Sequence, residues 1–487
     1  MMTPAARSCS SRGILYLLVE ESAREMPARL LIAIQAARLG FEVVIGPQWA
    51  LVEQAGRLPV GVVLFKGNNT IQVDNMARMR AAGHAVASIE EEILGLIDET
   101  RILATYDARV PRFCDLVLAQ GAFQRDCLER RHPGLAGKVA VTGNPRLDLL
   151  RAPLNASVLR AAARIREGRV RRGRERFILV NSNYSSINPI QGDALTGFQG
   201  WVQAGFAERD APADIDYFLS YCDWERENLH ALLGFLGAAA RGGLAGRLVL
   251  RPHPAENVQR WRAGLGEALG GEPGGGLGEG LSRGLGEDAP VEIIEDSDHL
   301  AWIAASAGLV HTSCTTGLEA ALLGTPSLNI VTGDSPWPDY YATKIASTTL
   351  AGPRDAVAAA LAHLEEAEEG SRDGPGEGPG EGPGEGPSDA SPDLPPGLAA
   401  HFLIDRTSAA ERVAGALAGL HARSGFQDAG SLDLAEHRLA DWQARKFSGT
   451  AAEAREMLAD FISALGIGGA IGVEALAGGS LLVRSAA

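Results

Sequence analysis

Over the first 150 residues, short apolar runs alternate with segments of helical periodicity. Ile14–Val19 (ILYLLV) is apolar without a break, the pattern of a strand covered on both faces. The next segment opens at Pro27, sets Leu30, Leu31 and Ile34 on one face and meets Gly40 just past its end, which predicts a helix. Phe41–Gly46, Val62–Phe65, Ala85–Ile89, Asp115–Ala119 and Val139–Thr142 predict further strands. Apolar strands separated by helices specify a parallel sheet with both faces covered, and GNPRLDLL (143–150) closes the unit.

A second α/β set begins at Phe177, with strands predicted at 177–181 (FILVN), 247–251 (RLVLR), 291–294 (VEII), 308–311 (GLVH) and 327–331 (SLNIV). Between the two sets, residues 157–176 carry eight arginines. An RNA-binding segment and a solvated helix joining two domains share that composition; the lack of interleaved aromatics favours the helix. Two low-complexity stretches, GLGE repeats at 264–287 and GPGE repeats at 374–387, have too little apolar material to order themselves. Ser408 with Glu411 reads as a capping box opening an amphipathic helix. The apolar tail 461–483 has six glycines and a central Glu474, which disfavour a membrane-spanning helix. The predicted organisation is an N-terminal α/β domain over 12–150, an Arg-rich linker helix over 151–176, and a second α/β domain over 177–360 with a flexible insert at 264–288. A disordered linker over 365–397, helices over 398–465 and a Gly-rich tail over 466–487 complete the chain.

Composition narrows the function classes. At roughly 150 residues per domain, 487 residues give two or three domains. The net charge of −15 argues against a general nucleic-acid coat, although residues 365–393, with ten acids and one arginine, supply −9 of it. Five scattered cysteines without CxxC spacing fit a reducing compartment and give no zinc signature. No long uncharged apolar run occurs before residue 460, and the six apolar residues from Ile14 are too few for a secretory signal. A soluble cytoplasmic protein is the expectation.

The candidate chemistry concentrates in two segments, RLVLRPHPAE (247–256) and LVHTSCTTGLEAALLGTPSLNI (309–330). Each begins as a strand, and in a parallel sheet the loop leaving a strand lies at the carboxyl edge, where ligands bind. His253, held extended between Pro252 and Pro254, can hydrogen-bond a phosphate or give it a proton. Ser313, Thr315 and Thr316 sit at a predicted helix N-terminus, which attracts anions, and Glu319 one turn inside can accept from ribose hydroxyls. Plain capping of that helix by Ser and Thr is the alternative. Other candidates are Asn181, Ser182 and Asn183 after a second-domain strand, and Lys66-Gly67 after the third strand. Arg24 and Glu25 come after the first strand. Asp296-Ser297-Asp298 has the form of a metal-binding DxD, but it begins a helix and capping explains it better. No P-loop, HExxH or GxSxG motif occurs.

The HP motif paired with a downstream Ser/Thr-rich turn and Glu-Ala resembles the nucleotide-binding half of two-domain GT-B glycosyltransferases, above all those using CMP-activated sugars, the bacterial sialyltransferases and Kdo transferases. The wider pattern is similar to surface carbohydrate biosynthesis proteins across most of 13–350, through SAREMPARLLIAIQAARLGFEVVIG (22–46), LFKG (64–67), SIEEEILG (88–95), VTGNPRLDLL (141–150) and ILVNSNYS (178–185). The resemblance implies two doubly wound parallel-sheet domains facing a cleft. It implies that His253, Pro254 and the Ser313–Thr316 turn hold the CMP phosphate, and that an N-domain acid does the acid/base or nucleophilic work. Related enzymes carry a short acidic motif ending in Gly; here Glu90, Glu91 and Glu92 are followed by Ile93, and Glu91, then Glu90, is the expected acid. Crowded carboxylates repel, so one of them should hold its proton more tightly than usual. A nucleotide-sugar donor and a glycan acceptor are the implied partners, with no nucleic acid, no cofactor and no metal; a peripheral place at the inner membrane face is left open.

Two other readings share these motifs. One is a CDP-glycerol or CDP-ribitol polyolphosphotransferase, the other a non-catalytic component of an envelope-glycan assembly complex. As to the repeats, deleting 374–387 should leave the melting temperature within about one or two degrees in a calorimetric scan, as for a solvated loop. Loss of soluble protein would show instead that the repeat packs.

Overall fold

A computed structural model describes residues 11–91, 94–173, 176–268, 290–296, 298–372, 395–426, 432–447, 450–469 and 471–485. Glu92, Ser297 and both repeat regions, except for residues 264–268, lie outside them.

Six strands from the N-terminal third are parallel: β1 (Gly13–Val19), β2 (Phe41–Pro47), β3 (Val62–Phe65), β4 (Ala85–Ile89), β5 (Leu116–Ala119) and β6 (Val139–Val141). They lie in the order 2-1-3-4-5-6, with Leu15 opposite both Val43 and Val62. The unbroken apolar run of β1 is explained by burial on both sides. Leu15, Leu17 and Val19 enter one core cluster, while Ile14, Tyr16 and Leu18 enter another on the opposite face.

The second sheet contains β7 (Ile178–Asn181), β8 (Leu248–Arg251), β9 (Val291–Ile293), β10 (Gly308–His311), β11 (Ser327–Ile330) and β12 (Thr348–Leu350), all parallel. Their order is 12-11-10-7-8-9. Counted from β7, this is the 3-2-1-4-5-6 arrangement, whose direction of winding reverses between β7 and β10. Here too alternate residues part: Ile178 and Val180 face one core, Phe177 and Leu179 the other. The fold is therefore α/β with two doubly wound, Rossmann-like sheets.

Three segments depart from the sequence expectations. The Gly-rich tail makes a hairpin the sequence did not announce, β13 (Ile471–Ala475) with β14 (Leu481–Ser485), and β14 pairs antiparallel with β2, setting Leu482 against Val44. Leu481 and Val483 then enter the first sheet's core, which is why the tail is apolar. Preceding it, the helices Ala409–Ser424 and Ala451–Ala464 pack on the helix Ser22–Arg38, so the chain returns to the first sheet after building the second. Ser408 caps the first of them by accepting from the Glu411 N–H at 3.1 Å. The Arg-rich segment, expected as a solvated linker helix, is a helix (Ala156–Val170) but packs along the helix His299–Ala305. Its Arg169 is fully buried, 2.5 Å from Glu292 and over the Phe177 ring, and Arg166 donates to the terminal carbonyls of Ala304 and Ala305. Third, the helix Pro353–Arg372 runs well into the expected linker, and Val258–Ala268 takes in the first residues of the GLGE region.

The long helix Pro212–Ala239 fixes the loop after β7 through Glu225, whose Oε2 accepts from the Ser186 and Ile187 N–H groups at 3.0 and 3.1 Å. Burial pushes this carboxyl up to about 8. Being protonated when folded but ionised when unfolded, it supports stability below about pH 4.5, and that support is lost as pH rises to about 8. Urea denaturation of Glu225→Gln across this range should give a stability that gains on the wild type as pH rises and levels off above about pH 8. A constant difference would mean that Glu225 keeps its charge on folding.

Candidate functional site

Because the strands of each sheet are parallel, their carboxyl ends share one edge. In the first sheet the order reverses between β1 and β3, and the residues just past those strands meet there. Lys66 Nζ lies 2.9 Å from Glu20 Oε2 and 3.7 Å from Glu25 Oε1. Glu20 also takes a 2.8 Å contact from Lys446; burial opposes its ionisation, yet the two lysines outweigh burial and hold its pKa low. Glu25 is fully buried in the first turn of the helix after β1, and its Oε2 accepts from the Glu20 N–H at 2.8 Å. Burial first, then the charge of Glu91, raises the Glu25 pKa against the opposing pull of Lys66 and Arg29.

The two predicted acids are held rather than open. Glu91 is 2 % exposed and forms an ion pair with the fully buried Arg29 at 2.9 Å. Glu90 accepts from the Asn68 N–H and side-chain amide at 3.1 and 3.2 Å. Both turn inward to charged or polar partners, Glu91 to Arg29 and Glu90 to Asn68, and beside them the buried Glu25 holds its proton more tightly than an ordinary carboxyl. Gly67 is buried, but a Cβ there would sit 3.5 Å from the Glu90 oxygens, an ordinary contact, so close approach does not require a glycine.

At the second sheet's edge, the reversal between β7 and β10 brings Asn181 beside the turn after His311. Asn181 is buried, and neither its Oδ1 nor its Nδ2 has a hydrogen-bond partner among the described residues. Asn183 is half-buried. Ser182 Oγ donates to Glu256 at 2.8 Å and accepts from the His253 N–H at 3.2 Å, tying the loops after β7 and β8 together. The His253 and Pro254 side chains are open to solvent. His253 Nδ1 accepts from the Ala255 N–H at 3.2 Å, so the neutral ring carries its proton on Nε2. The loops crowding it, with the positive charges of Arg251, Arg24 and His299, lower its pKa even though much of the ring meets solvent. At neutral pH it is therefore a hydrogen-bond donor and not an imidazolium, which weakens the expected role of giving a proton to phosphate.

Ser313 has φ of 54°, a left-handed conformation that costs a non-glycine residue about 1–3 kcal/mol. Its N–H donates to Asn329 Oδ1 at 2.6 Å. Thr315 precedes the helix Thr316–Leu323 without capping it by its side chain, so plain capping does not account for these hydroxyls. Gly317 is required by contact: a Cβ would lie 2.4 Å from His311 Nε2. Glu319 accepts from His299 at 3.1 Å and lies 3.6 Å from Arg146. Burial favours its protonation, but His299, Arg146 and Arg251 together keep its pKa low. Asp298 caps the helix His299–Ala305 through the Ala301 N–H, and Asp296 accepts from the Asp298 N–H and the Trp302 indole.

The two edges meet. The Ala342 N–H donates to the Gly95 carbonyl at 2.7 Å, and the Ile97 N–H to the Tyr340 carbonyl at 2.9 Å. Arg101 lies over Tyr217, Tyr340 and Trp337, with 4.1 Å to the nearest ring centroid. Arg146, from GNPRLDLL, donates to the Glu91 carbonyl at 3.5 Å while facing Glu319. Glu25, Glu90, Glu91 and Lys66 thus form one pole, and Asn181, His253 and the Ser313–Thr316 turn the other.

No protein-family model matches the chain, and no curated protein matches it. Among solved structures, it is similar to the UDP-GlcNAc 2-epimerase of Methanocaldococcus jannaschii in complex with UDP-GlcNAc and UDP: 13% identity, TM-score 0.43, covering 83% of this chain and 99% of that one. Anabaena HepE in complex with UDP-glucose is 12% identical with a TM-score of 0.40, covering 85% and 98%. The UDP-GlcNAc 2-epimerase of Neisseria meningitidis bound to UDP-GlcNAc is 12% identical with a TM-score of 0.40, covering 73% and 92%.

Sequence reasoning missed Arg29, Arg146, Asn329 and Glu256. Arg29 carried a signal. It stands in the otherwise apolar run Ala28–Ile34, and an arginine buried there must find a buried acid. Removing one member of its pair should be costly. Glu91→Gln should lose roughly 3–5 kcal/mol in chemical denaturation, and the double variant Arg29→Met/Glu91→Gln should recover most of it. Additive losses would mean that the two charges do not depend on each other.

Proposed function

We propose that the chain is a nucleotide-sugar enzyme of surface-glycan synthesis. The finer reading is a glycosyltransferase that moves an ulosonic acid such as Kdo from its CMP conjugate to a hydroxyl of a glycan acceptor. The observation that carries it is the β7–β10 reversal, where the buried, unmatched Asn181 amide lies beside the strained Ser313 turn.

In this reading the donor's phosphate lies between His253 and the start of the helix Thr316–Leu323. The Nε2–H of neutral His253, the first helical N–H groups and the helix dipole stabilise charge that builds on the departing nucleotide. The groups at this pole are neutral donors, which suits a ligand that brings its own negative charge. Asn181 supplies an amide to the base or the donor sugar. Across the cleft, Glu25 takes the proton of the attacking hydroxyl. Glu91 provides the charge that makes Glu25 basic, and Lys66 orients it.

Thermal unfolding with CMP, CDP, UDP and GDP tests the nucleotide. The preferred one, at 100 times its Kd, should add about 2.7 kcal/mol, and Asn181→Ala and His253→Ala should each remove most of that gain. Preference for CDP, with transfer of a polyol phosphate, would favour the phosphotransferase reading. Glu25→Gln should keep the nucleotide bound and slow transfer to a lipid-linked or synthetic glycan by roughly 10²–10⁴. Stabilisation by none of the four nucleotides would remove the reading.

A further inference from the structure

The helix Ala156–Val170 has two faces of opposite character. On the inner face, Ala162 and Ile165 join the core cluster that holds Phe177, Leu179 and Trp302, and the buried Arg169 pairs with Glu292. These contacts hold the helix in place. The outer face is open, and nothing in the fold accounts for its make-up. Leu159, Ala163 and Val170 lie exposed on one strip, at spacings that align along a helix, with Leu159 45% and Val170 56% exposed. Arg160, Arg164 and Arg171 each stand one residue further on and make the neighbouring strip; helical geometry continues through Arg171.

The charge on this face is uncompensated. Asp460 lies 2.5 Å from Arg160, which leaves the exposed Arg164, Arg166, Arg171 and Arg172 against one acid of the helix, Glu167. A positive, partly aliphatic surface thus stands on a chain whose net charge is −15.

Phosphates are the natural counterparts of such a face, and two kinds of surface offer them. A nucleic acid binds through phosphates and stacked bases; the outer face has no aromatic ring to stack on, and Leu159 and Val170 would press against the phosphates. The headgroup layer of an anionic bilayer matches both strips. Lipid phosphates take the guanidinium groups, and the aliphatic side chains enter the boundary with the acyl chains. The negative remainder of the chain is repelled by the same surface, which turns this face toward it. Among the described residues no helix is long and apolar enough to cross a membrane, so the contact is with the surface.

We propose that the outer face of the helix Ala156–Val170 docks the protein on an anionic phospholipid surface, with Arg164, Arg171 and Arg172 on lipid phosphates and Leu159 and Val170 in the headgroup boundary. This contact stands whether or not the cleft binds a nucleotide sugar.

Sedimentation of the full chain with vesicles tests it. Wild type should pellet with phosphatidylcholine vesicles carrying about one-third phosphatidylglycerol and stay in solution with phosphatidylcholine alone. Salt raised from about 0.05 to about 0.5 M should release it. Arg164→Ser/Arg171→Ser should weaken binding at least about tenfold, and Leu159→Ser/Val170→Ser, which keeps every charge, at least about threefold. Both pairs are exposed, so circular dichroism and melting temperature should match the wild type. No pelleting of wild type with the anionic vesicles, equal binding to the neutral ones, or undiminished binding by either double variant would overturn the proposal. Retention on immobilised mixed-sequence RNA without retention by vesicles would overturn it too, and would assign the face to nucleic acid.

Discussion

The guanidinium of Arg146 lies 3.5 Å from the Glu91 carbonyl oxygen and 3.6 Å from the Glu319 carboxylate, and with the Ala342–Gly95 and Ile97–Tyr340 hydrogen bonds it ties the two sheet edges together. Its position is set by its neighbours. Gly143 has φ of 76°, and a Cβ there would lie 2.6 Å from the Leu403 carbonyl oxygen. Asn144 accepts from the Arg146 N–H, which starts a single helical turn. Asp148 accepts from the Ala409 and Ala410 N–H groups at 3.0 and 2.9 Å and so pins the returning helix. Burial pushes the Asp148 carboxyl up to about 6 despite those bonds. One short motif thus sets the cleft and anchors the chain on its way back.

The two poles of the cleft solve opposite electrostatic problems. The first sheet's edge buries Glu25, Glu91, Arg29 and Lys66 together. Taking such charges from water costs several kcal/mol per ion, and only mutual pairing offsets it. Imperfect compensation is visible in Glu25, which holds its proton more tightly than an ordinary carboxyl. The second sheet's edge carries few charges of its own at the turn. Burial lowers the His311 pKa to about 3, so that ring is neutral, and it accepts from the Cys314 N–H while bonding Ser347. An array of neutral donors costs little while empty and becomes favourable when an anion arrives.

The strands were legible because burial on both faces leaves an unbroken apolar signature, as in ILYLLV, LVLA and GLVH. β12, a half-exposed edge of Thr-Thr-Leu, has no such signature, and the terminal hairpin is masked by glycines that serve its turns. At the site, position along the chain located Glu90, Glu91, His253, Ser313 and Asn181 at strand ends. Which group each side chain meets was beyond reach, because the partners are distant: Arg29 precedes Glu91 by 62 residues, and Arg146 precedes Glu319 by 173. A local pattern shows where an acid sits and not what neutralises it. The eight arginines mislead for the same reason, since Glu292, the acid that allows Arg169 to be buried, lies in β9.

The pairing of β14 with β2 has a consequence in time. The first sheet's strands and the residues that complete it are separated by about 260 residues between Leu150 and Ala409. At ~5–20 residues per second, a ribosome needs roughly 10–50 s to cross that gap. Throughout it the edge of β2 has no neighbour on that side and the apolar face of the helix Ser22–Arg38 lacks its cover. Nascent chains paused in this interval would be natural clients for chaperones that hold exposed β edges, while the second sheet, contiguous in sequence, can close as soon as it emerges.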